Sequence, residues 1–211
     1  MNYSAIILCA GSGKRSGLNY NKMLYKKDGT TVYEKTVTVF LKDPRCTEII
    51  IVTKDEERQD FQDLIQDERL TFVSGGKERQ DSVYNGLSVV TNNYVMIHDG
   101  ARPYLKQASL DALCECLETH DACLLMVPAK DTIKRVINGK IVETLKREEL
   151  MQAQTPQAFK TKTILKAHEI CRAQNAVVTD DASMVEIIGE EVYVVMGDYE
   201  NIKITTPEDL I

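Results

Sequence analysis

The chain has no apolar run approaching the roughly 20 residues that a membrane-crossing helix needs. Met1-Asn2-Tyr3-Ser4 leads into the first strand-like segment without a basic leader or a small-residue cleavage site. These absences argue against a membrane span and a secretory signal, so the expected location is cytoplasmic, with no membrane partner. The six cysteines (Cys9, Cys46, Cys114, Cys116, Cys123, Cys171) form no C-x-x-C pair, and His98, His120 and His168 complete no zinc-ligand spacing. A metal cluster is not expected, and the thiols read as small buried hydrophobes in a reducing compartment. Positive charge is also scarce. With 26 Lys+Arg against 32 Asp+Glu, the formal charge of -6 argues against an extended nucleic-acid footprint. No repeat, low-complexity tract or linker divides the 211 residues, a length suited to one domain.

Against that acidic background the basic residues cluster in particular loops. The apolar segment Ala5 to Leu8 runs into Cys9-Ala10-Gly11-Ser12-Gly13-Lys14-Arg15-Ser16-Gly17, with Lys22 shortly after. Glycines let backbone N–H groups approach an anion, and Lys14, Arg15 and Lys22 add charge that an ordinary strand-to-helix turn does not need. The spacing fits neither a Walker A loop, because Gly13-Lys14 is followed by Arg15, nor the dinucleotide fingerprint, because Gly11, Gly13 and Gly17 are spaced G-x-G-x-x-x-G.

Short apolar runs alternate with helix-length amphipathic segments. Strands are expected at Ala5 to Leu8, Glu48 to Thr53, Leu70 to Val73, Tyr94 to Ile97 and Cys123 to Val127. Helices are expected at Val32 to Leu41, Glu56 to Asp67, Asp81 to Val90 and Ser109 to Thr119. The implied fold is α/β, a Rossmann-like, doubly wound, mostly parallel sheet. Ligands on such sheets sit beyond the carboxyl ends of the strands. Three of those ends present Gly with Lys or Arg: the first loop, Ser74-Gly75-Gly76-Lys77-Glu78-Arg79-Gln80-Asp81-Ser82, and His98-Asp99-Gly100-Ala101-Arg102-Pro103. Their convergence points to an anion site.

After Pro128, Asp131 to Ile137, Asn138-Gly139 and Lys140 to Val142 carry the strongest short-range hairpin signal. Such an arm is expected to protrude and to pair with a second copy of the chain, the alternative being a flap on its own domain. Farther on, Thr163 to Asn175 reads as a helix, Thr179-Asp180-Asp181-Ala182-Ser183 as a capped helix start, and Val192 to Met196 as a strand. The tail from Asn201 reads as a strand followed by Pro207 at the head of a helix that ends almost as it begins.

These motifs, with Asp131-Thr132-Ile133-Lys134, Gln154-Thr155-Pro156-Gln157-Ala158-Phe159 and Asn201-Ile202-Lys203-Ile204-Thr205, occur in the order found in one family. The chain resembles the 2-C-methyl-D-erythritol 4-phosphate cytidylyltransferases from end to end. The resemblance implies a single domain over residues 1–211, with 132–154 as a β-arm for dimerisation. It implies transfer of CMP from CTP to a sugar-alcohol phosphate, with Mg²⁺ required and pyrophosphate released. By the same resemblance Arg15 and Lys22 neutralise charge at the α-phosphate, and Ala10, Gly11, Gly13, Gly76, Arg79 and Ser82 hold CTP. Asp99 and Arg102 contact substrate. Thr132, Arg147, Thr179 and Lys203 grip the acceptor, with Arg147 and Lys203 on its phosphate and catalytic together with Arg15 and Lys22. Mg²⁺ is expected on phosphate oxygens and water rather than in a carboxylate cage, with Asp99 the candidate carboxylate beside it.

The chemistry fits those residue types. The nucleophile is a phosphate oxygen, already anionic, so the protein's task is charge neutralisation and positioning rather than strong general base catalysis. A ribitol-5-phosphate cytidylyltransferase is the nearest rival reading. A dinucleotide-binding oxidoreductase and a noncatalytic nucleotide-binding module are the others, and the misplaced third glycine disfavours the oxidoreductase. The chain departs from the family pattern at Cys9, where a small residue such as Ala is usual, at Asn21, where Pro is usual, and at Met23, where Gln is usual. Loss of that Pro is expected to loosen the backbone that aims Lys22.

Overall fold

The computed structural model describes residues 1–11 and 16–210. Gly13 and Arg15, both named above, lie outside the described residues. In chain order the strands are β1 (Tyr3–Leu8), β2 (Lys26–Lys27), β3 (Thr30–Thr31), β4 (Cys46–Thr53), β5 (Leu70–Ser74), β6 (Tyr94–Asp99), β7 (Ala122–Pro128), β8 (Lys134–Ile137), β9 (Lys140–Thr144), β10 (Met151–Lys160) and β11 (Tyr193–Met196). The helices are α1 (Val32–Lys42), α2 (Arg58–Leu64), α3 (Arg79–Leu87), α4 (Gln107–Thr119), α5 (Thr161–Ala173) and α6 (Asp181–Ile187).

A run of Ile and Val covered on both faces belongs inside a parallel sheet, and β1 and β4 lie there. The seven-stranded sheet has the order β11-β7-β10-β6-β1-β4-β5, with β10 antiparallel to both of its neighbours. Alternate residues feed two cores. Tyr3, Ala5, Ile7, Ile49 and Ile51 pack with α1 and α4, through Phe40, Leu110 and Leu113 among others. Ile6, Ile50 and Val52 face Val83 and Leu87 of α3, Ile164 of α5 and Met184 of α6. Helices therefore cover both faces, the doubly wound arrangement expected. α1 begins where its sequence predicts, because Thr31 and Glu34 form a reciprocal capping box.

The chain runs outward from β1 through β4 to β5, then returns to place β6 on the other side of β1. Leu8 at the end of β1 lies opposite Asp99 at the end of β6, so the topological switch point falls between them.

Three expectations need correction. The tail from Asn201 to Thr205 forms no strand, and Pro207–Leu210 makes a single 3-10 turn rather than a helix. The segment 151–154, grouped above with the arm, instead begins β10, a strand of the central sheet that the sequence reading missed. The arm itself is the separate β8–β9 ladder, closed by Asn138 and Gly139 at φ 49° and 76°, as a two-residue hairpin turn requires. The helix expected over Glu56 to Asp67 is shorter as well, a 3-10 turn at Asp55–Glu57 leading into α2. No helix among the described residues is long and apolar enough to cross a membrane.

Candidate active site

A cleft of about 680 Å³ opens at the switch point, walled by the segments that follow β1, β4, β5 and β6. Of the residues named from sequence, Ala10, Gly11, Lys22, Gly76, Arg79, Ser82, Asp99 and Lys203 line it. The walls are drawn tightly together. A Cβ on Gly75 would lie 2.5 Å from the Ala10 Cβ, and one on Gly76 would collide with the Asp81 side chain and come within 2.9 Å of its backbone. Glycine is therefore demanded here by close approach. The Gly76 N–H donates to Ser82 Oγ at 2.9 Å, and Ser82 Oγ donates to the Glu78 carbonyl at 3.2 Å, which folds the loop onto the first turn of α3.

Asp99 is the electrostatic centre. Its Oδ2 meets Lys203 Nζ at 2.7 Å and Arg102 Nε at 3.8 Å, while its Oδ1 lies 3.7 Å from Arg79 Nε. Burial by itself would raise the Asp99 pKa, but Lys203, Arg79 and Arg102 overcome it and hold the carboxyl at about 2. Asp99 is thus an anion throughout the physiological range. Lys22 adds a second lysine, from the opposite end of the chain. Its Nζ donates to the Ile204 carbonyl at 2.6 Å, so it stands beside the residue that follows Lys203, 182 residues away in sequence.

A buried frame holds Asp99 and Arg102. The Asp99 N–H donates to Thr155 Oγ1 at 3.0 Å, and Thr155 Oγ1 lies 3.0 Å from His98 Nδ1. His98 Nε2 is 3.1 Å from the Arg102 carbonyl, which can only accept. Nε2 therefore carries the proton and Nδ1 accepts from Thr155. Burial keeps His98 neutral, its pKa lowered to about 4. Arg102 Nη1 donates to the Asn201 carbonyl at 2.7 Å, and Asn201 Nδ2 donates back to the Thr155 carbonyl at 2.9 Å. One strand, β10, thus ties the end of β6 to the tail that carries Lys203.

Arg79 is held from a second direction. Its Nη2 donates to Asp181 Oδ2 at 2.8 Å, and Asp181 is fully buried at the start of α6. Burial opposes the charged guanidinium, but Asp181 outweighs it and raises the Arg79 pKa. α6 is itself anchored to β10, because Gln157 donates to Asp180 Oδ2 at 2.8 Å and accepts from the Ala182 N–H at 2.9 Å.

The family model for 2-C-methyl-D-erythritol 4-phosphate cytidylyltransferase matches residues 3–211. The chain belongs to this family. A 2-C-methyl-D-erythritol 4-phosphate cytidylyltransferase of Bacillus mycoides is 43% identical over 214 residues, covering 99% of this chain and 95% of the relative. Among solved structures, the 4-diphosphocytidyl-2C-methyl-D-erythritol synthase of Anaerococcus prevotii superposes with a TM-score of 0.89 at 31% identity, covering 99% of this chain and 94% of that one. The 2-C-methyl-D-erythritol 4-phosphate cytidylyltransferase of Francisella tularensis gives 0.87 at 33% identity, covering 100% and 97%.

Set beside the cytidylyltransferase motifs, three named residues stand apart from the cleft of their own chain. Thr132 and Arg147 are exposed on and beside the arm, with Arg147 Nη1 donating to the Lys130 carbonyl at 3.2 Å. Thr179 is exposed just ahead of α6. Arg102 is largely buried, is not among the residues that line the cleft, and reaches it through Asp99 at 3.8 Å. Sequence reading missed Lys54, which lines the cleft at the carboxyl end of β4. The strand-end rule reaches that residue once it is applied to all four central strands. It also missed Asp181 as the partner of Arg79, for which only the acidic cap sequence gives a signal.

Proposed function

We propose that this chain transfers CMP from CTP to 2-C-methyl-D-erythritol 4-phosphate, releasing pyrophosphate and forming 4-diphosphocytidyl-2-C-methyl-D-erythritol, a step toward isoprenoid precursors by the non-mevalonate route. The family match supports the reaction. The observation that supports this reading of the site is the contact of Lys22 Nζ with the Ile204 carbonyl, which brings the loop lysine to the tail segment that carries Lys203.

The acceptor phosphate attacks the α-phosphorus and pyrophosphate leaves on the opposite side. No strong base is needed, because the nucleophile is already an anion. Lys22 faces the charge that builds on the α-phosphate, with Arg15 assigned beside it by resemblance, and preorganised cations of this kind are worth about 10²- to 10³-fold each. Ala10, Gly11, Gly13, Gly76, Arg79 and Ser82 bind the nucleotide. Lys203 orients the acceptor phosphate, which displaces Asp99 Oδ2 from the ammonium and leaves that carboxylate to accept from an acceptor hydroxyl. Mg²⁺ would fit this donor set beside the phosphates, since Asp99 is an anion on the wall whose Oδ1 has, among the described residues, only the 3.7 Å contact with Arg79. When bound, it supplies charge neutralisation on the triphosphate oxygens. Thr132, Arg147 and Thr179 complete the acceptor grip, the first two reaching the cleft of a second protomer from the arm.

Pyrophosphate release from CTP and Mg²⁺ tests this with three arms: methylerythritol phosphate, ribitol phosphate and no acceptor. Turnover with the first is expected. Release with ribitol phosphate alone would move the activity to the sister reaction, and release with neither would refute it.

A further inference from the structure

Lys22 is the first residue of a 3-10 turn, Lys22–Leu24, and the residue before it makes three side-chain hydrogen bonds. Asn21 is 5% exposed. Its Nδ2 donates to the Cys9 carbonyl at 2.8 Å and to Glu57 Oε2 at 2.7 Å, and its Oδ1 accepts the Met23 N–H at 3.1 Å. Both amide hydrogens are therefore used. Cys9 is itself pinned to the sheet, its N–H donating to the Val52 carbonyl at 2.8 Å, and Glu57 is fixed by Lys54 at 2.9 Å. The anchors come from the end of β1 and the turn after β4, two neighbouring strands of the sheet. They meet at the residue adjoining Lys22.

We propose that Asn21, braced by Glu57, is the positioning residue for Lys22. The inference rests on the cleft binding CTP with Lys22 at the reacting phosphate. The expectation of a loosened backbone at Asn21 is thereby replaced: the side chain supplies the constraint. Backbone geometry offers a direct control, because Asn21 has φ -63° and ψ 120°, the φ that a proline ring fixes, and its N–H donates to no described residue. A proline there replaces the amide's tethers with a ring constraint and leaves Lys22 aimed.

The test compares Asn21→Ala, Asn21→Pro and Glu57→Ala, alone and with Asn21→Pro, by steady-state kinetics with CTP and methylerythritol phosphate and by calorimetry of CTP binding. Misplacing a reacting group by about 1 Å costs on the order of 10²-fold, so Asn21→Ala should lower kcat by about that factor with the CTP Kd within about threefold. Asn21→Pro should recover most of kcat. Glu57→Ala should cost about tenfold when Asn21 is present and almost nothing when combined with Asn21→Pro, a nonadditivity that marks one shared path. Acetylation of the Lys22 amine, followed by peptide mass spectrometry, reads its tether without turnover, and should accelerate in Asn21→Ala and not in Asn21→Pro. An inert wild type that still shows this labelling pattern would refute the assigned reaction and keep the positioning role. Unchanged kcat in Asn21→Ala, a proline variant as impaired as the alanine one, or equal cost of Glu57→Ala in both backgrounds would overturn the proposal.

Discussion

The cleft and the arm handle charge in opposite ways. In the cleft, Asp99, Lys203, Arg79 and Arg102 form one network beside glycine-tight backbone, and the main frame residues His98, Thr155 and Asn201 are buried. In the arm, residues 130–144 are exposed throughout, with Val136, Ile137, Ile141 and Val142 48% to 65% accessible. Its ion pair, Arg135 Nε with Glu143 Oε2 at 3.1 Å, lies in open solvent. A single chain therefore preorganises the charged cleft, the half of the site proposed to bind the nucleotide. The apolar arm is the exposed element that the proposed function assigns to the acceptor site of a second copy.

Substitutions can push on either side of that contrast. The largest effect should come from Lys22→Ala, which removes the cation assigned to the reacting phosphate: kcat should fall by about 10³-fold while the melting midpoint stays within a few degrees. Next is Ile141→Asp with Val136→Asp on the arm. Sedimentation should show conversion of dimer to monomer, with turnover falling alongside, whereas a fully active monomer would make the arm irrelevant to the cleft. Asp181→Asn comes third. Arg79 then loses its stronger partner, and the KM for CTP should rise by about tenfold, more than kcat falls. Arg135→Ala should be smallest, shifting the midpoint by under about 1 °C, as solvated ion pairs do.

Acid should distinguish the two regions as well. Unfolded His98 titrates near pH 6.5 while the folded imidazole stays neutral to about pH 4. Its contribution to stability is complete above pH 6.5 and is lost as pH falls toward 4, by roughly 3 kcal/mol at 1.36 kcal/mol per unit. Asp99 extends the loss below that, since its folded pKa of about 2 lies under the unfolded carboxylate value. Urea unfolding at pH 7 and pH 5 should show the decline, and His98→Gln should flatten it.

The parallel strands were legible because apolar residues on both faces leave little choice of period, and β1, β4, β5, β6 and β7 were all found. The same rule hid β10. Gln154, Thr155 and Gln157 are polar and Pro156 cannot donate to a ladder, so the segment reads as a turn, yet those polar groups are buried because they anchor the tail, β6 and α6. The cleft residues were legible from family-ordered motifs at strand ends. Asp181 and Asn21 were not, because their side-chain partners, Arg79 at 102 positions and Glu57 at 36, come beside them only in three dimensions.

Co-expression of Lys22→Ala and Arg147→Ala subunits tests most directly whether nucleotide cleft and arm make one site. Either variant alone should be nearly inactive. Random pairing gives half mixed dimers with one intact cleft facing one intact arm, so about a quarter of wild-type pyrophosphate release should return. No recovery in dimers shown by mass to be mixed would contradict the account.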